Sequence, residues 1–480
     1  NVAVGQIALA SQNFTTSTNS YNTAVGYAAG GAVTTGTLNT LIGGLAGDAL
    51  NTANSNVAIG YAALSTDTKG DNSVAIGENA LLTQNFTTST DSYNVAVGSN
   101  AGRAVTTGVE NVLVGGLAGD ALTNSDRNVA VGHAALTTNT LGQYNTAIGY
   151  FALGTANHTT ATDAYNTAVG YVAGGAITTG TLNTLIGGNA GDAITTGDWN
   201  VAVGKEALGA LVDGDYNVAI GGNALKLQNH SDGTDSWNVA VGQSAGAAVT
   251  TGINNTFVGG AAGDGTDDGN SNTAVGKSAL SANCGDENTA CGKGALEPTT
   301  GQKNTAVGAQ AGVGITSGDN NIAIGADSAR STAPGGNVTT EDNRICLGDN
   351  NITHAFIKVD WTVGSDQRDK TDFTALDLGL DFVKALNPVT YKWDQRSNYG
   401  DKEADDYDLN AQTPDGTHKK DWLDVGFKAQ EVEALEIAAG YNKSNKTNLT
   451  TSLSSDGKQY GMQYSKFVPI LVKAMQEQNA

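Results

Sequence analysis

The first 297 residues contain no proline, and the whole chain has only 3 cysteines, 2 methionines and 6% aromatic residues. Proline cannot donate a ladder hydrogen bond, so its absence suits a stretch built from β-strands. Cys284, Cys291 and Cys346 lack the spacing of a metal site or a disulfide framework. Cys291 stands where related repeats carry Val or Ile, and Cys346 where they carry Ala. We therefore predict that the cysteines are small buried apolar residues.

Basic residues are also scarce, with 25 Lys and Arg against 47 Asp and Glu and a net charge of −22. Because no Lys/Arg cluster is available to neutralise phosphates, nucleic acid is excluded as a partner. No apolar run is long enough to span a bilayer, and no signal peptide is evident, so we expect no membrane insertion. No His pairs with Cys or carboxylates at ligand spacing, so we predict no metal and no cofactor.

A pentapeptide, Asn-x-Ala-Val/Ile-Gly, recurs nineteen times in the first 325 residues. Most steps are 17 residues, and from residue 1 to residue 238 every fourth step is 21, which gives a longer unit of 72 residues. A fixed short period predicts stacked supersecondary units. Within each pentapeptide the β-branched second and fourth positions share one strand face, and the Ala lies on the other. We predict two short strands per repeat, as in Asn22–Gly26 followed by Ala28–Gly30, and a β-solenoid or β-roll rod over residues 1–325.

In the third repeat of each 72-residue unit a large apolar residue replaces the Ala. The four positions are Leu41, Leu113, Leu185 and Phe257. On a face otherwise kept for Ala, such residues predict a subunit interface, in which they contact other chains. The alternative is a locally wider core within one chain.

The four extra residues of every fourth repeat lie in one loop. Each loop carries an aromatic residue or His and ends in a second aromatic residue, giving Phe14 with Tyr21, Phe86 with Tyr93, His158 with Tyr165, and His230 with Trp237. Aromatic rings beside hydroxyl and amide groups are typical of glycan recognition. These eight residues are therefore candidate receptor contacts, the alternative being that they only cover the edge of a turn.

Composition changes after Arg330, where charged residues, Trp and a helical period appear. Leu378, Phe382, Val383 and Leu386 share one helical face before Asn387-Pro388 ends the helix. We treat residues 326–364 as a β neck or linker and residues 365–480 as a separate domain. Four blocks stand out in that region, namely Ser-Asp-Gln-Arg-Asp-Lys at 365–370, Leu-Asn-Pro-Val-Thr-Tyr-Lys-Trp at 386–393, Val-Gly-Phe-Lys-Ala-Gln-Glu-Val at 425–432, and Tyr-Ser-Lys-Phe-Val-Pro-Ile-Leu-Val-Lys-Ala-Met at 464–475.

The four blocks, in this order, resemble the intramolecular chaperone auto-processing domain of phage tailspikes, endosialidases and long tail fibres. The resemblance implies a serine–lysine dyad, with Ser365 as nucleophile, Lys370 as its base, and cleavage between Ser365 and Asp366. The repeats resemble those of trimeric autotransporter adhesin heads, which Asn72–Gly77 matches at every residue, and equally those of phage tail-fibre shafts. The implied fold is a mainly β solenoid, trimeric in the family, followed by a small α/β chaperone domain with a terminal helix.

The resemblance implies a tail-fibre or tailspike protein of the virion that binds a host surface glycan or other receptor. Its self-cleaving endopeptidase would act once, and no turnover enzyme is evident in the repeats. The chain opens inside a repeat without Met, so we expect a missing N-terminal part to join it to other tail proteins. Two alternatives remain, a polysaccharide depolymerase and an adhesin of the bacterial cell surface.

Overall fold

In a computed structural model the protein is mainly β and is built from a repeated β-solenoid turn. Two compact units are present, Asn1–Glu287 and Asn288–Ala480. All residues are described except 332, 359–360, 402–406, 443, 445–446, 448, 455 and 480.

Unit 1 consists of turns that each contribute one three-residue strand, made by the second to fourth positions of the pentapeptide. The strands are Val2–Val4, Thr23–Val25, Thr40–Ile42, Val57–Ile59, Val74–Ile76, Val95–Val97, Val112–Val114, Val129–Val131, Thr146–Ile148, Thr167–Val169, Thr184–Ile186, Val201–Val203, Val218–Ile220, Val239–Val241, Thr256–Val258 and Thr273–Val275. Neighbouring strands pair in parallel and in register, so that Ala24 lies beside Leu41 and Leu41 beside Ala58. The β-branched residues at the second and fourth positions favour this extended conformation.

The predicted second strand of each repeat is wrong. The segment after the pentapeptide forms a series of tight turns, with positive φ angles at residues such as Ala28 (55°) and Gly30 (60°). Short strands on that side occur only beside the long loops. They pair Gly70–Asp71 with Thr90–Asp91 and Gly142–Gln143 with Thr162–Asp163. The repeat therefore holds its shape mainly through turns hydrogen-bonded from one coil to the next.

The opening Asn is buried in most repeats and joins consecutive turns. Asn200 is representative. Its backbone N–H donates to the side-chain oxygen of Asn183 (2.9 Å), and its own side-chain oxygen accepts from the backbone N–H of Asn217 (3.0 Å). Its amide group donates to the carbonyl of Gly214 (2.8 Å). Because a buried polar group is costly when unpaired, this Asn ladder fixes the spacing of the turns.

The core of each turn lies on the Ala face, and this corrects the predicted trimer contacts. Leu41, Leu113, Leu185 and Phe257 are each 0% exposed inside their own chain. Glycines make the room for them. A Cβ built on Gly30 or Gly47 would lie 2.6 or 2.8 Å from the methyl groups of Leu41. Most other turns carry Leu, such as Leu64 and Leu136, where these turns carry Gly. The large residue thus fills space within one chain, as the alternative interpretation held.

The β-branched face of the strand points outward. In each unit we define the outer column as the fourth residue of each pentapeptide, which is Val or Ile throughout unit 1, whereas Cys291 is its first member in unit 2. Ile42, Ile186 and Ile220 are 38–39% exposed. Cys291 is exposed as well, so the prediction that it is buried is wrong, whereas Cys284 is buried and Cys346 intermediate. A continuous half-exposed apolar row is unusual on a soluble surface.

Unit 2 begins with the same repeat and extends it past the predicted boundary at residue 325. Its solenoid strands are Thr289–Cys291, Thr305–Val307, Ile322–Ile324 and Ile345–Leu347, and the last two pair in parallel. Two antiparallel pairs follow, Val389–Tyr391 with Asp424–Gly426 and Thr451–Leu453 with Tyr460–Met462. Short 3₁₀ turns occupy Gln367–Asp369, Arg396–Asn398, Leu409–Ala411 and Tyr464–Lys466.

The described helices of unit 2 are α1 (Leu380–Ala385), α2 (Ala429–Ala438) and α3 (Phe467–Gln478). The predicted helix before Asn387-Pro388 is present as α1, and α3 is the terminal helix. Phe382 of α1, Val432 of α2 and Ile470 of α3 meet in one apolar cluster. The fully buried Glu436 accepts hydrogen bonds from the backbone N–H (2.5 Å) and hydroxyl (2.8 Å) of Thr450, which ties α2 to the second strand pair.

Candidate functional site

The residues of the predicted dyad lie on either side of one 3₁₀ turn, Gln367–Asp369. Asp366 begins this turn by accepting a hydrogen bond from the backbone N–H of Arg368 (2.9 Å). It also pairs with the Arg368 guanidinium (2.6 Å). The turn carries Lys370 back beside Ser365, so two residues five positions apart meet without sharing a helix. Five-residue spacing is unsuited to one helical face, and a turn supplies the contact instead.

The Lys370 amine contacts two atoms of Ser365. Its Nζ lies 2.5 Å from the hydroxyl oxygen and 3.3 Å from the carbonyl oxygen of the bond that joins Ser365 to Asp366. One amine can therefore reach both a candidate nucleophile and the carbonyl of the predicted cleavage bond. This is the geometry that a serine–lysine pair needs.

The Arg368 guanidinium beside Asp366 lowers the pKa of that carboxyl group through direct hydrogen bonds. Asp366 thus remains a carboxylate, and the ion pair keeps the turn closed. Both side chains are exposed, so the pair contributes little to stability. Its effect is positional, because it orients the residue that follows the predicted cleavage bond.

Ser365, Asp366 and Lys370 are all exposed in the single chain. A lysine becomes an effective base when burial disfavours its charged form. No described residue of this chain supplies that burial, although the contact with Ser365 is already made. The contact between Lys370 and Ser365 is thus present and still open to water.

The long loops place their two aromatic positions differently. Tyr21, Tyr93, Tyr165 and Trp237 are exposed, as predicted, and all four have positive φ angles of 48–51°. The first aromatic or His of each loop turns toward the solenoid. Phe86, His158 and His230 are 4–8% exposed, and Phe14 is partly buried.

This burial removes Phe86, His158 and His230 from the candidate receptor contacts. Their loops fold back over the turn, where a Cβ on Gly70 would lie 2.8 Å from the Phe86 ring. Burial lowers the pKa of His158 and of His230. The Nε2 atoms of both histidines are buried without a hydrogen-bond partner.

Exposed aromatic rings also stack along the solenoid, a feature that sequence reasoning missed. Tyr165 stacks on Tyr144 (4.8 Å between centroids), and Trp237 stacks on Tyr216 (4.2 Å). Tyr144 and Tyr216 end the preceding 17-residue repeats, so the signal was the matching aromatic one repeat earlier. In each of these pairs one face of each ring is covered by the other ring.

Unit 2 holds an open groove of about 960 Å³ beside the antiparallel strand pair 389–391 and 424–426. Its aromatic lining is Tyr391, Trp393, Trp422, Phe427, Tyr460 and Tyr464. Sequence reasoning missed this groove because its lining comes from segments far apart in the chain. Among the described residues, no group of three or more His, Cys, Asp or Glu could hold a metal ion.

Comparison with protein families identifies one segment. Residues 365–441 match the family described as the chaperone of endosialidase. The match begins at Ser365, the first residue of the dyad, and ends after α2. Searches of curated proteins and of solved structures found no match to this chain. The chain therefore joins a β-solenoid to an endosialidase-type chaperone segment, which fits a phage tail fibre or tailspike. No helix in the described part of the chain is long and apolar enough to cross a membrane.

Proposed function

We propose that this chain is a fibre-like receptor-binding protein of a phage tail that acts as a homotrimer. The observation that carries the proposal is the chaperone match at residues 365–441, directly downstream of a long repeated solenoid. Neighbouring copies of a repeated strand must choose one register among many equivalent ones. A chaperone segment at the end of the chain would supply that choice.

The chaperone segment would cut itself off between Ser365 and Asp366. Net hydrolysis adds one water across this peptide bond and leaves a carboxyl group on Ser365 and an amino group on Asp366. Lys370 is placed to accept the Ser365 hydroxyl proton and to contact the carbonyl oxygen. Because the amine is exposed in one chain, we infer that a neighbouring copy completes its burial, so that cleavage follows assembly.

Mass spectrometry of purified protein tests this proposal. The wild type should yield a fragment of 115 residues (480 minus 365) beginning at Asp366. Ser365→Ala and Lys370→Ala should remain at full length while still forming trimers, and Lys384→Ala, at an exposed lysine of α1, serves as a matched lysine control that is still cut. A trimeric wild type that stays intact would show that the dyad is inert.

The outer column is our proposed contact surface between copies, in place of the buried Leu41 set. Its Val and Ile side chains are half-exposed along the solenoid, and covering them would remove apolar area from water. Ile220→Lys should reduce the oligomer mass in solution, whereas Thr179→Lys on an exposed turn should not. Cys291 offers a second measurement, since thiol labelling should be slow in trimers and fast in separated chains. Rapid labelling of intact trimers would place the interface elsewhere.

The exposed ends of the long loops are our proposed receptor contacts, and a surface glycan is the proposed ligand. Tyr21 and Tyr93 are 67% and 54% exposed. Repeated weak contacts from three chains would add through avidity. Replacing both Tyr21 and Tyr93 by Ala should weaken adsorption to host cells, with Tyr61→Ala as a control at an exposed tyrosine outside these loops. Unchanged adsorption would leave the loops as covers of the turn edge.

A further inference from the structure

The segment between the last solenoid strand and the dyad is unusually apolar for an exposed stretch. We call residues 352–363 the neck segment. Ile352, Phe356, Ile357 and Val363 are 62%, 93%, 52% and 79% exposed. Its described part contains neither helix nor strand. An almost fully exposed Phe flanked by further apolar residues is typical of an interaction surface.

The aromatic groove of unit 2 is a matching open surface in the same molecule. Trp393 and Trp422 are 45% and 43% exposed although they line a concave site. Trp393 donates its indole N–H to Asp424 (3.2 Å), which orients the ring, and Lys420 lies over the Trp422 ring (6.0 Å). Aromatic residues in a concave, partly polar site are typical anchors for an inserted apolar chain.

The neck segment of the same chain only touches the rim of this groove. Ile352 and Thr353 form part of its wall. The ring of His354 lies 6.0 Å from Trp422 and stacks on Phe356 at 5.7 Å. Phe356 and Ile357 are not part of this wall and are exposed, so a single chain leaves these two side chains and the groove uncovered.

A second copy can supply the missing occupant. The neck segment follows strand Ile345–Leu347, whose Leu347 continues the outer column and is 53% exposed. If copies meet along the outer column, their neck segments start from a shared interface. Phe356 lies nine residue steps after Leu347, which span up to about 30 Å when extended, enough to reach a neighbouring subunit.

We propose that the neck segment of one chain docks in the aromatic groove of a neighbouring copy. Phe356 is the anchor, and Trp393 and Trp422 of the acceptor copy form its site. The inference rests on the trimer and the self-cleavage proposed above and adds the surface that links them. Because Ser365 follows Val363 by two residues, docking brings the dyad of the donor chain against the acceptor copy and covers Lys370.

Photo-crosslinking tests the docking without requiring cleavage. A photoreactive phenylalanine at position 356 of the full-length Ser365→Ala chain should give crosslinks between chains. These should map to the segments around Trp393 and Trp422. The same group in place of Tyr61 should give none to the groove. Crosslinks confined to one chain, or none to these segments in trimers, would overturn the proposal even if cleavage is normal.

Mixed assemblies test whether docking acts between copies. Trp422→Ala chains alone should form trimers and be cut about tenfold more slowly or worse, as truncating a central aromatic anchor does at interfaces. Coassembled with Ser365→Ala chains, whose grooves are intact, they should be cut again. Normal cutting of Trp422→Ala alone, or no rescue in verified mixed trimers, would overturn the proposal. A wild type that is never cut would instead refute the self-cleavage, and the crosslinks from Phe356 would still report the docking.

Discussion

Two substitutions in one turn, one that removes core volume and one that restores it, should show whether Leu113 is a core residue or a subunit contact. Leu113 is fully buried, and Gly102 and Gly119 leave the space that its methyl groups occupy. Leu113→Ala should therefore open a cavity and destabilise this turn by about 2 to 5 kcal/mol. The loss should stay local, because each turn of a solenoid contacts only its neighbours.

The substitution that adds volume, Gly119→Leu, should by itself also lower the stability of the turn. A Cβ on Gly119 would lie 2.8 Å from both Leu113 Cδ2 and Leu122 Cδ1, so Gly119→Leu overpacks the turn by about 1 to 3 kcal/mol. Leu136 occupies the equivalent position of the next turn with the same φ of 54°. The backbone therefore accepts Leu there, and the double variant Leu113→Ala/Gly119→Leu should recover about 1 to 3 kcal/mol relative to Leu113→Ala.

Hydrogen exchange of the peptides that cover residues 95–136 measures this local opening. Val114→Ala is the matched control, because Val114 belongs to the outer column and its truncation leaves the chain's own core filled. We expect it to weaken self-association and to leave local exchange almost unchanged. If Leu113→Ala instead separates the copies without raising local exchange, the residue belongs to the interface and the core assignment is wrong.

Three further outcomes follow from the turns and loops. Burial lowers the pKa of His158 below the unfolded value of about 6.5, so the folded state loses stability as the pH falls below that value. Hydrogen exchange of loop 157–165, corrected for its intrinsic pH dependence, should therefore rise between pH 7 and 5. His158→Phe should remove this rise. Asn200→Ala should cost about 1 to 3 kcal/mol for each buried backbone partner left unpaired, measured by exchange in the same turns. Gly204→Ala should lower the melting temperature more than an Ala on an exposed turn, because its Cβ would lie 2.6 Å from the backbone of Gly221 at a φ of +133°.

The repeat could be predicted from the sequence because its period leaves few alternatives. Alternation within Asn-x-Ala-Val-Gly separates the Ala face from the β-branched face, and the structure keeps that separation. Which face is inside did not follow, since larger apolar residues ordinarily occupy cores. A coil this narrow has room for Ala at the strand and for one larger residue beside it. Gly replaces Leu at position 30 of the preceding repeat and at position 47 of the same repeat as Leu41. This compensation in volume was the sequence signal that the Ala face lies inside.

The candidate site was predictable only where one short motif carries it. Ser365 and Lys370 lie in a single block, so their contact depends on one turn. The burial of His158 and the aromatic groove depend on segments that meet only in the folded chain. Alternation also could not show that Cys291 is exposed, because it places Cys291 among Val and Ile without indicating which face of the strand lies inside.

Removal of the chaperone segment should make folding of the solenoid irreversible. Along the outer column each turn offers nearly the same Val or Ile, so a shift between copies by one turn costs little apolar contact. Register must then come from outside the repeat, and the segment after Ser365 is the proposed source. Uncut Ser365→Ala trimers should therefore regain their hydrogen-exchange protection after denaturation and dilution, whereas trimers that have lost residues 366–480 should not. Kinetic trapping of this kind depends on the unfolding barrier and not on equilibrium stability. Equal refolding of both forms would show that the repeats find their register unaided.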